Sequence, residues 1–315
     1  MPVAKTFLRP RPMTPDVRAP SAPADAPALM VERLSVHYGT GTSPFAAVRD
    51  VNFQIAQGER VALVGESGSG KTTLGLAVAG FLTQPGVEIT VDRLEFAGQP
   101  ITRRDQARMP VRTPGIAMVF QDAMTSLDPV WTIGSQLGAV IRATEKLPRS
   151  QVRERCRHWL DRVGIDDVDR VMKNRPYELS GGMRQRAMMA LALCGQPRLL
   201  IADEPTSALD ASLSRNTMDL LLELTQDFGA SLLVISHDIR LCQEYSDTTM
   251  VMYHGEVVET GPSATLAQTA THPYTIGLLS CIPTLESAAL DELPTLESFV
   301  PKQRQPAATG KRGLG

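Results

Sequence analysis

No stretch of the 315 residues approaches the ~18 consecutive apolar positions needed to cross a bilayer. The N-terminus also lacks the apolar core of a secretory signal. Any part the protein plays at a membrane is therefore expected from the cytoplasm, docked on partners. Aromatic residues are scarce at 5%, and charge of either sign is not in excess: 32 Lys and Arg against 34 Asp and Glu leave a net −2. That balance argues against a general nucleic-acid binder. Cysteine is sparse too. Cys156, Cys194, Cys242 and Cys281 are far apart and form no C-x-x-C pair, so zinc and redox motifs have little support. Reduced and mostly buried thiols are expected. No internal repeat is visible.

What is present changes texture along the chain. Residues 1–27 hold seven prolines and scattered charge, a composition that cannot bury a core and reads as a disordered tail. From Leu29 onward come β-rich stretches, Leu29–Val36 and Val48–Ile55, then the apolar strand Glu59–Val64. A helix is expected over Lys71–Phe81 and another over Ala211–Phe228. The short apolar runs Leu199–Ala202 and Ser231–Ile235 read as buried strands of a parallel sheet. Within 130–180, Ser150 is a candidate cap for a helix whose stripe is Val152, Cys156, Trp159, Leu160 and Val163, ended by Gly164. A β-hairpin is expected around His254 and Gly255, followed by a short helical stretch and a polar end.

Three patterns carry chemistry. Gly65, Glu66, Ser67, Gly68, Ser69, Gly70, Lys71 and Thr72, followed by Thr73, fit G-x-x-x-x-G-K-[ST] between a strand and a helix. Glycines let the backbone N–H groups face one anion, and the helix start adds positive dipole. Lys71 would neutralise β- and γ-phosphate oxygens, and the Thr72 hydroxyl would ligate Mg²⁺. The second pattern is Leu199–Ala202 running into Asp203 and Glu204, an apolar strand ending in two carboxylates. Asp203 is expected to hold Mg²⁺ and Glu204 to polarise an attacking water. The third is Leu179, Ser180, Gly181, Gly182, Met183, a second anion-seeking helix start.

With these residues the sequence resembles the ABC ATPase superfamily, whose signature is L-S-G-G-Q. The resemblance spans about residues 29–283. It implies an α/β fold: a P-loop NTPase, ABC-type nucleotide-binding domain with a β-rich N-terminal subdomain, a RecA-like core and an inserted helical subdomain over about 122–180. It implies an ATPase domain over 28–260, a C-terminal extension over 261–300 and a polar tail over 301–315. It also assigns further residues. Gln121 matches the glutamine loop near Mg²⁺ and water, Asp210 the D-loop in Ser207–Asp210, His237 the switch histidine, and Tyr38 the aromatic that stacks on adenine. In that family Ser180, Gly181, Gly182 and Met183 read the nucleotide of a partner chain, so two ATP molecules lie at a dimer interface.

Met183 in place of glutamine, the segment Phe120–Pro129 and the run His272-Pro273-Tyr274-Thr275 resemble the D-type ATPase of dipeptide, oligopeptide and nickel importers. The resemblance implies a related F-type ATPase partner (a homodimer is the other arrangement), two permease subunits and a solute-binding protein. It places the chain on the cytoplasmic face of the cell membrane, with no nucleic acid. Peptides, nickel or a metal chelate remain open as cargo. A phosphonate-pathway ATPase working with an enzyme complex is the competing reading. About 110 residues separate Gly70 from Ser180, too few for the long coiled coils of chromosome-maintenance ATPases. One motif set excludes a fused double ATPase.

Overall fold

The computed structural model describes residues 26–39, 44–101, 113–207 and 210–281. The expected tails over 1–27 and 301–315 lie outside that range, apart from Ala26 and Pro27. So do positions 208 and 209 of the D-loop and the extension beyond Cys281.

The chain opens with β1 (Leu29–Tyr38) and β2 (Phe45–Ile55), which pair antiparallel. Val31 and Leu34 are both buried although three residues apart. Arg33 between them is left-handed, with φ 53, and the register shifts there. This is a bulge that returns the apolar side chains to one face. The apolar strand β3 (Arg60–Val64) leads into α1 (Lys71–Ala79). This helix stops two residues short of the expected Phe81. Gly80 is left-handed with φ 80, and its N–H turns back to the carbonyls of Ala77 and Leu76. Strands β4 (Val87–Thr90), β5 (Arg93–Phe96) and β6 (Gln99–Pro100) complete the first sheet, in order β2-β1-β5-β6 with β4 also on β1.

After β7 (Ile116–Val119) the chain turns helical: α2 (Ala123–Ser126), α3 (Ile133–Thr144), α4 (Arg149–Arg162), α5 (Val168–Lys173), a 3₁₀ turn at Pro176–Glu178 and α6 (Gly181–Leu193). The apolar stripe of α4 is buried, and Gly164 takes φ 75 just beyond it. Ser150, however, is not the cap. Pro148 occupies that position, and its carbonyl accepts the first helical bond from the Val152 N–H at 3.0 Å. Proline has no side-chain acceptor, so the free N–H groups of the first turn of α4 receive no side-chain cap from it.

The remaining elements are β8 (Leu199–Asp203), α7 (Ala211–Gln226), β9 (Ser231–Ser236), α8 (Ile239–Tyr245), β10 (Thr248–Tyr253), β11 (Glu256–Pro262), α9 (Leu266–Thr269) and α10 (Pro273–Ser280). Strands β10 and β11 form the expected hairpin. His254 and Gly255 at its tip have φ 47 and 87, the left-handed pair that a two-residue turn requires.

The second sheet runs β11-β10-β3-β9-β8-β7, parallel from β10 to β7. Its central strands are buried on both faces. Val61 and Leu63 pack toward the first sheet and α1, whereas Ala62 and Val64 pack toward the helices on the other side. Register then decides the site. Val64 pairs with Ser236, Asp203 with Ile235 and Val119 with Ala202. The residues following β3, β7, β8 and β9 therefore emerge together at the carboxyl edge, where open parallel sheets bind ligands.

Candidate active site

Residues 65–70 form the loop between β3 and α1. Two glycines are sterically compulsory. A Cβ on Gly65 would lie 2.2 Å from the Met252 carbonyl oxygen, and one on Gly70 would lie 2.3 Å from that of Ala47. The loop is therefore pressed against the β10–β11 hairpin and β2. It is tied there as well: the Gly255 N–H donates to the Ser69 carbonyl at 2.9 Å.

Lys71 is 6% exposed. Its Nζ donates to the carbonyls of Gly65 and Glu66, both at 2.8 Å. Burial pushes this amine below the ordinary lysine value, while the nearby carboxylates of Glu204 and Asp203 pull it back. Beside it the Ser69 hydroxyl is buried without a partner. A desolvated cation bonded to neutral carbonyls, an orphaned hydroxyl and a glycine-rich loop at a helix start together suit a phosphate group.

At the end of β8, Asp203 is 2% exposed. The Thr72 hydroxyl donates to its Oδ1 at 3.0 Å. Burial raises the Asp203 carboxyl above its usual range and Glu204 adds to the rise, while the Thr72 bond and Lys71 oppose it. A partly desolvated carboxylate touching a threonine hydroxyl is a donor set that suits a hard divalent cation. Glu204, next in sequence, is left-handed with φ 47, and its N–H donates to the Ile235 carbonyl at 2.8 Å. That bond to the neighbouring strand holds the turn. The Glu204 side chain is 11% exposed, and its Oε2 lies 2.8 Å from Nδ1 of His237, which is 62% exposed. His237 thus has one ring nitrogen engaged and the rest of the ring facing out.

Gln121 follows β7 and is exposed at the same edge. The Tyr38 hydroxyl lies 3.4 Å from the Thr73 hydroxyl, which sets this ring beside the start of α1. The other expected residues make local bonds at helix starts. Ser180 caps α6, accepting from the Met183 N–H at 3.4 Å. Gly181 and Gly182 are exposed, with open space where a Cβ would sit. Met183 is half-buried against the helical core. Asp210 caps α7, accepting from the N–H groups of Ser212 and Leu213 at 3.0 and 2.9 Å. Among the described residues, no hydrogen bond joins 180–183 to the loop at 65–72.

The ABC transporter family model matches residues 48–207, half of the chain. The protein belongs to that family. A second model, the C-terminal region of oligopeptide and dipeptide transporters, matches residues 258–312 of this ABC ATPase. It is 41% identical over 274 residues to the dipeptide transport ATP-binding protein DppD of Escherichia coli (strain K12), covering 87% of this chain and 83% of that protein. It is 39% identical over 274 residues to the oligopeptide transport ATP-binding protein AppD of Bacillus subtilis (strain 168), with the same two shares of 87% and 83%. Among solved structures it resembles CbiO1 of Clostridium perfringens, part of an ABC transporter complex. There the TM-score is 0.63 at 28% identity, over 81% of this chain and 95% of that one. It also resembles a dimeric ATP-binding cassette in a post-hydrolysis state with ADP and phosphate bound. That match has TM-score 0.62 and 25% identity over 75% and 98% of the two chains.

The motifs of this ABC ATPase do not announce everything that touches the loop at 65–70 and the turn after Glu204. Gln185 donates to the Pro205 carbonyl, linking α6 to the turn after Glu204. The Glu66 N–H donates to the Tyr274 hydroxyl at 2.8 Å. The sequence marked Tyr274 as part of a subgroup pattern, but 208 positions of separation hid its contact.

Proposed function

We propose that this ABC ATPase binds ATP with Mg²⁺ at the carboxyl edge of its parallel sheet and hydrolyses it to drive a peptide importer. The observation that carries the reading is the meeting there of buried Lys71, the Thr72–Asp203 pair and the Glu204–His237 pair, five residues brought together from the ends of β3, β8 and β9. Lys71 neutralises phosphate oxygens. Thr72, Asp203 and Gln121 are the residues that would hold Mg²⁺, whose charge offsets that of the phosphates. Glu204 takes a proton from the water whose oxygen bonds to the γ-phosphorus while the bond to the β–γ bridging oxygen breaks, leaving ADP and phosphate. His237 holds Glu204 through Nδ1 and presents its exposed face to the γ-phosphate. Tyr38 supplies a ring for the adenine.

The exposed Ser180–Met183 helix start, remote from this chain's own loop in hydrogen bonding, suits the triphosphate of a second ATPase chain, with Asp210 at the same seam. An F-type partner, two permease subunits and a solute-binding protein complete the proposed assembly on the cytoplasmic membrane face. The peptide cargo is supported by the match at 258–312 and by the names of DppD and AppD. That match also weighs for a permease over an enzyme complex as partner. The division into an ATPase domain over 28–260 and an extension over 261–300 is part of the same proposal.

The test is nucleotide binding by Lys71→Ala in the intact chain. Loss of ATP affinity is expected; affinity equal to the wild type removes the loop from the site. Purification together with membrane permease subunits, and ATPase stimulation by peptide-loaded binding protein, check the transport half. Co-purification with a soluble enzyme complex in their place overturns it.

A further inference from the structure

The phosphate-binding loop of this protein is braced by a residue that stands outside all the catalytic patterns. Tyr274 lies in the first turn of α10 and is fully buried. Its ring stacks on Tyr253 of β10, with centroids 4.1 Å apart and planes at 28°. Its hydroxyl accepts the Glu66 N–H at 2.8 Å. The same peptide unit carries the Gly65 carbonyl on its opposite side, and that oxygen accepts from Lys71 Nζ at 2.8 Å. A trans peptide is planar and rigid, so its N–H and C=O cannot turn independently. One plate is thus held at one end by the phenol and holds the lysine at the other.

The phenol is itself fixed. The Glu259 carboxylate of β11 accepts from the Thr271 N–H at 2.6 Å and from the Thr271 hydroxyl at 3.0 Å. His272 Nδ1 then caps α10 by accepting the Tyr274 N–H at 3.2 Å. Strand β11 pairs with β10, and β10 with β3, the strand that delivers the loop. Burial pushes the phenol up to about 12, so it stays a neutral acceptor at working pH.

We propose that Tyr274 is a positioning residue for nucleotide binding: its hydroxyl sets the 65–66 peptide and through it the Lys71 amine. This rests on the reading of residues 65–72 as the ATP site. In the intact chain within its transporter assembly, Tyr274→Phe keeps the ring stack but leaves the Glu66 N–H unpaired. The KM for ATP and the dissociation constant of a fluorescent ATP analogue are expected to rise about 3- to 10-fold, the range of one lost hydrogen bond. The kcat at saturating ATP stays near the wild type. Leu278→Ala, which trims the packing of α10 but spares the hydroxyl, is the control; it should lower the melting temperature and leave ATP affinity unchanged. Equal affinity in Tyr274→Phe and wild type overturns the proposal. So does an equal affinity loss in both variants at equal loss of thermal stability, because packing alone then accounts for it. If Lys71→Ala also binds ATP normally in the same assay, the reading of the site fails as a whole; if only Tyr274→Phe is silent, the positioning role alone falls.

Discussion

Glu204 concentrates several constraints in one residue. Its backbone is left-handed, its amide is committed to Ile235 and its carboxylate leans on His237. Glu204→Gln preserves size and shape but removes basicity. ATP binding is expected to survive, while single-turnover hydrolysis falls about 10²- to 10⁴-fold, the usual contribution of a general base. Undiminished turnover would take Glu204 out of that role. Asp203 next to it illustrates a cost of function. Its folded carboxyl is raised by burial, so in the nucleotide-free protein its ionisation opposes folding at pH above that raised value. The penalty is complete above the raised folded value, shrinks as pH falls through it and is gone below the unfolded one. Asp203→Asn should accordingly raise the melting temperature of the nucleotide-free protein at pH 7, a gain that vanishes on acidification, while Mg²⁺-dependent hydrolysis is lost. A lower melting temperature at pH 7 would refute this account.

Among the elements, those with strong apolar patterns were readable and their ends were not. The buried runs at Leu199–Asp203 and Ser231–Ser236 and the α4 stripe follow directly from hydrophobic spacing. The start of α4 at Pro148 and the stop of α1 at Gly80 differ from the expected boundaries because one proline and one glycine override the apolar pattern. The α4 stripe also predicts a stability effect. Trp159 is 3% exposed, and its ring sits 5.8 Å from that of Phe228, joining α4 to the end of α7. Trp159→Ala should cost about 3–5 kcal/mol in denaturant unfolding, the range for a large buried aromatic. A loss well under 1 kcal/mol would show that α4 is not cemented through this contact.

For the whole molecule, the telling feature is that, among the described residues, no hydrogen bond joins the Ser180 helix start to the chain's own glycine-rich loop. Gly181 is exposed, and among the described residues nothing lies within 4 Å of the position its Cβ would take, so a side chain there starts into open space. Gly181→Arg should fold normally and bind ATP with unchanged affinity, yet abolish hydrolysis by obstructing the nucleotide held on a second chain. Native ATPase rates in that variant, measured at concentrations where dimers form, would argue that each chain works alone.

The amino-acid sequence by itself determined the class of fold and supplied the patterns on which the proposed chemistry rests. Gly65–Thr72, Leu199–Glu204 and Leu179–Met183 are local patterns, and a glycine-rich loop, a carboxylate-tipped strand and a helix start need only neighbouring residues to be recognised. Only the tertiary structure decided which groups meet. The pairing of Val64 with Ser236 and of Asp203 with Ile235 is a matter of register between strands remote in sequence, and it brings Glu204 to His237. The hold of Tyr274 on the 65–66 peptide depends on a hairpin and a capped helix folding back over the loop. Contacts of that separation arise from the packing of whole elements, which no window of sequence contains.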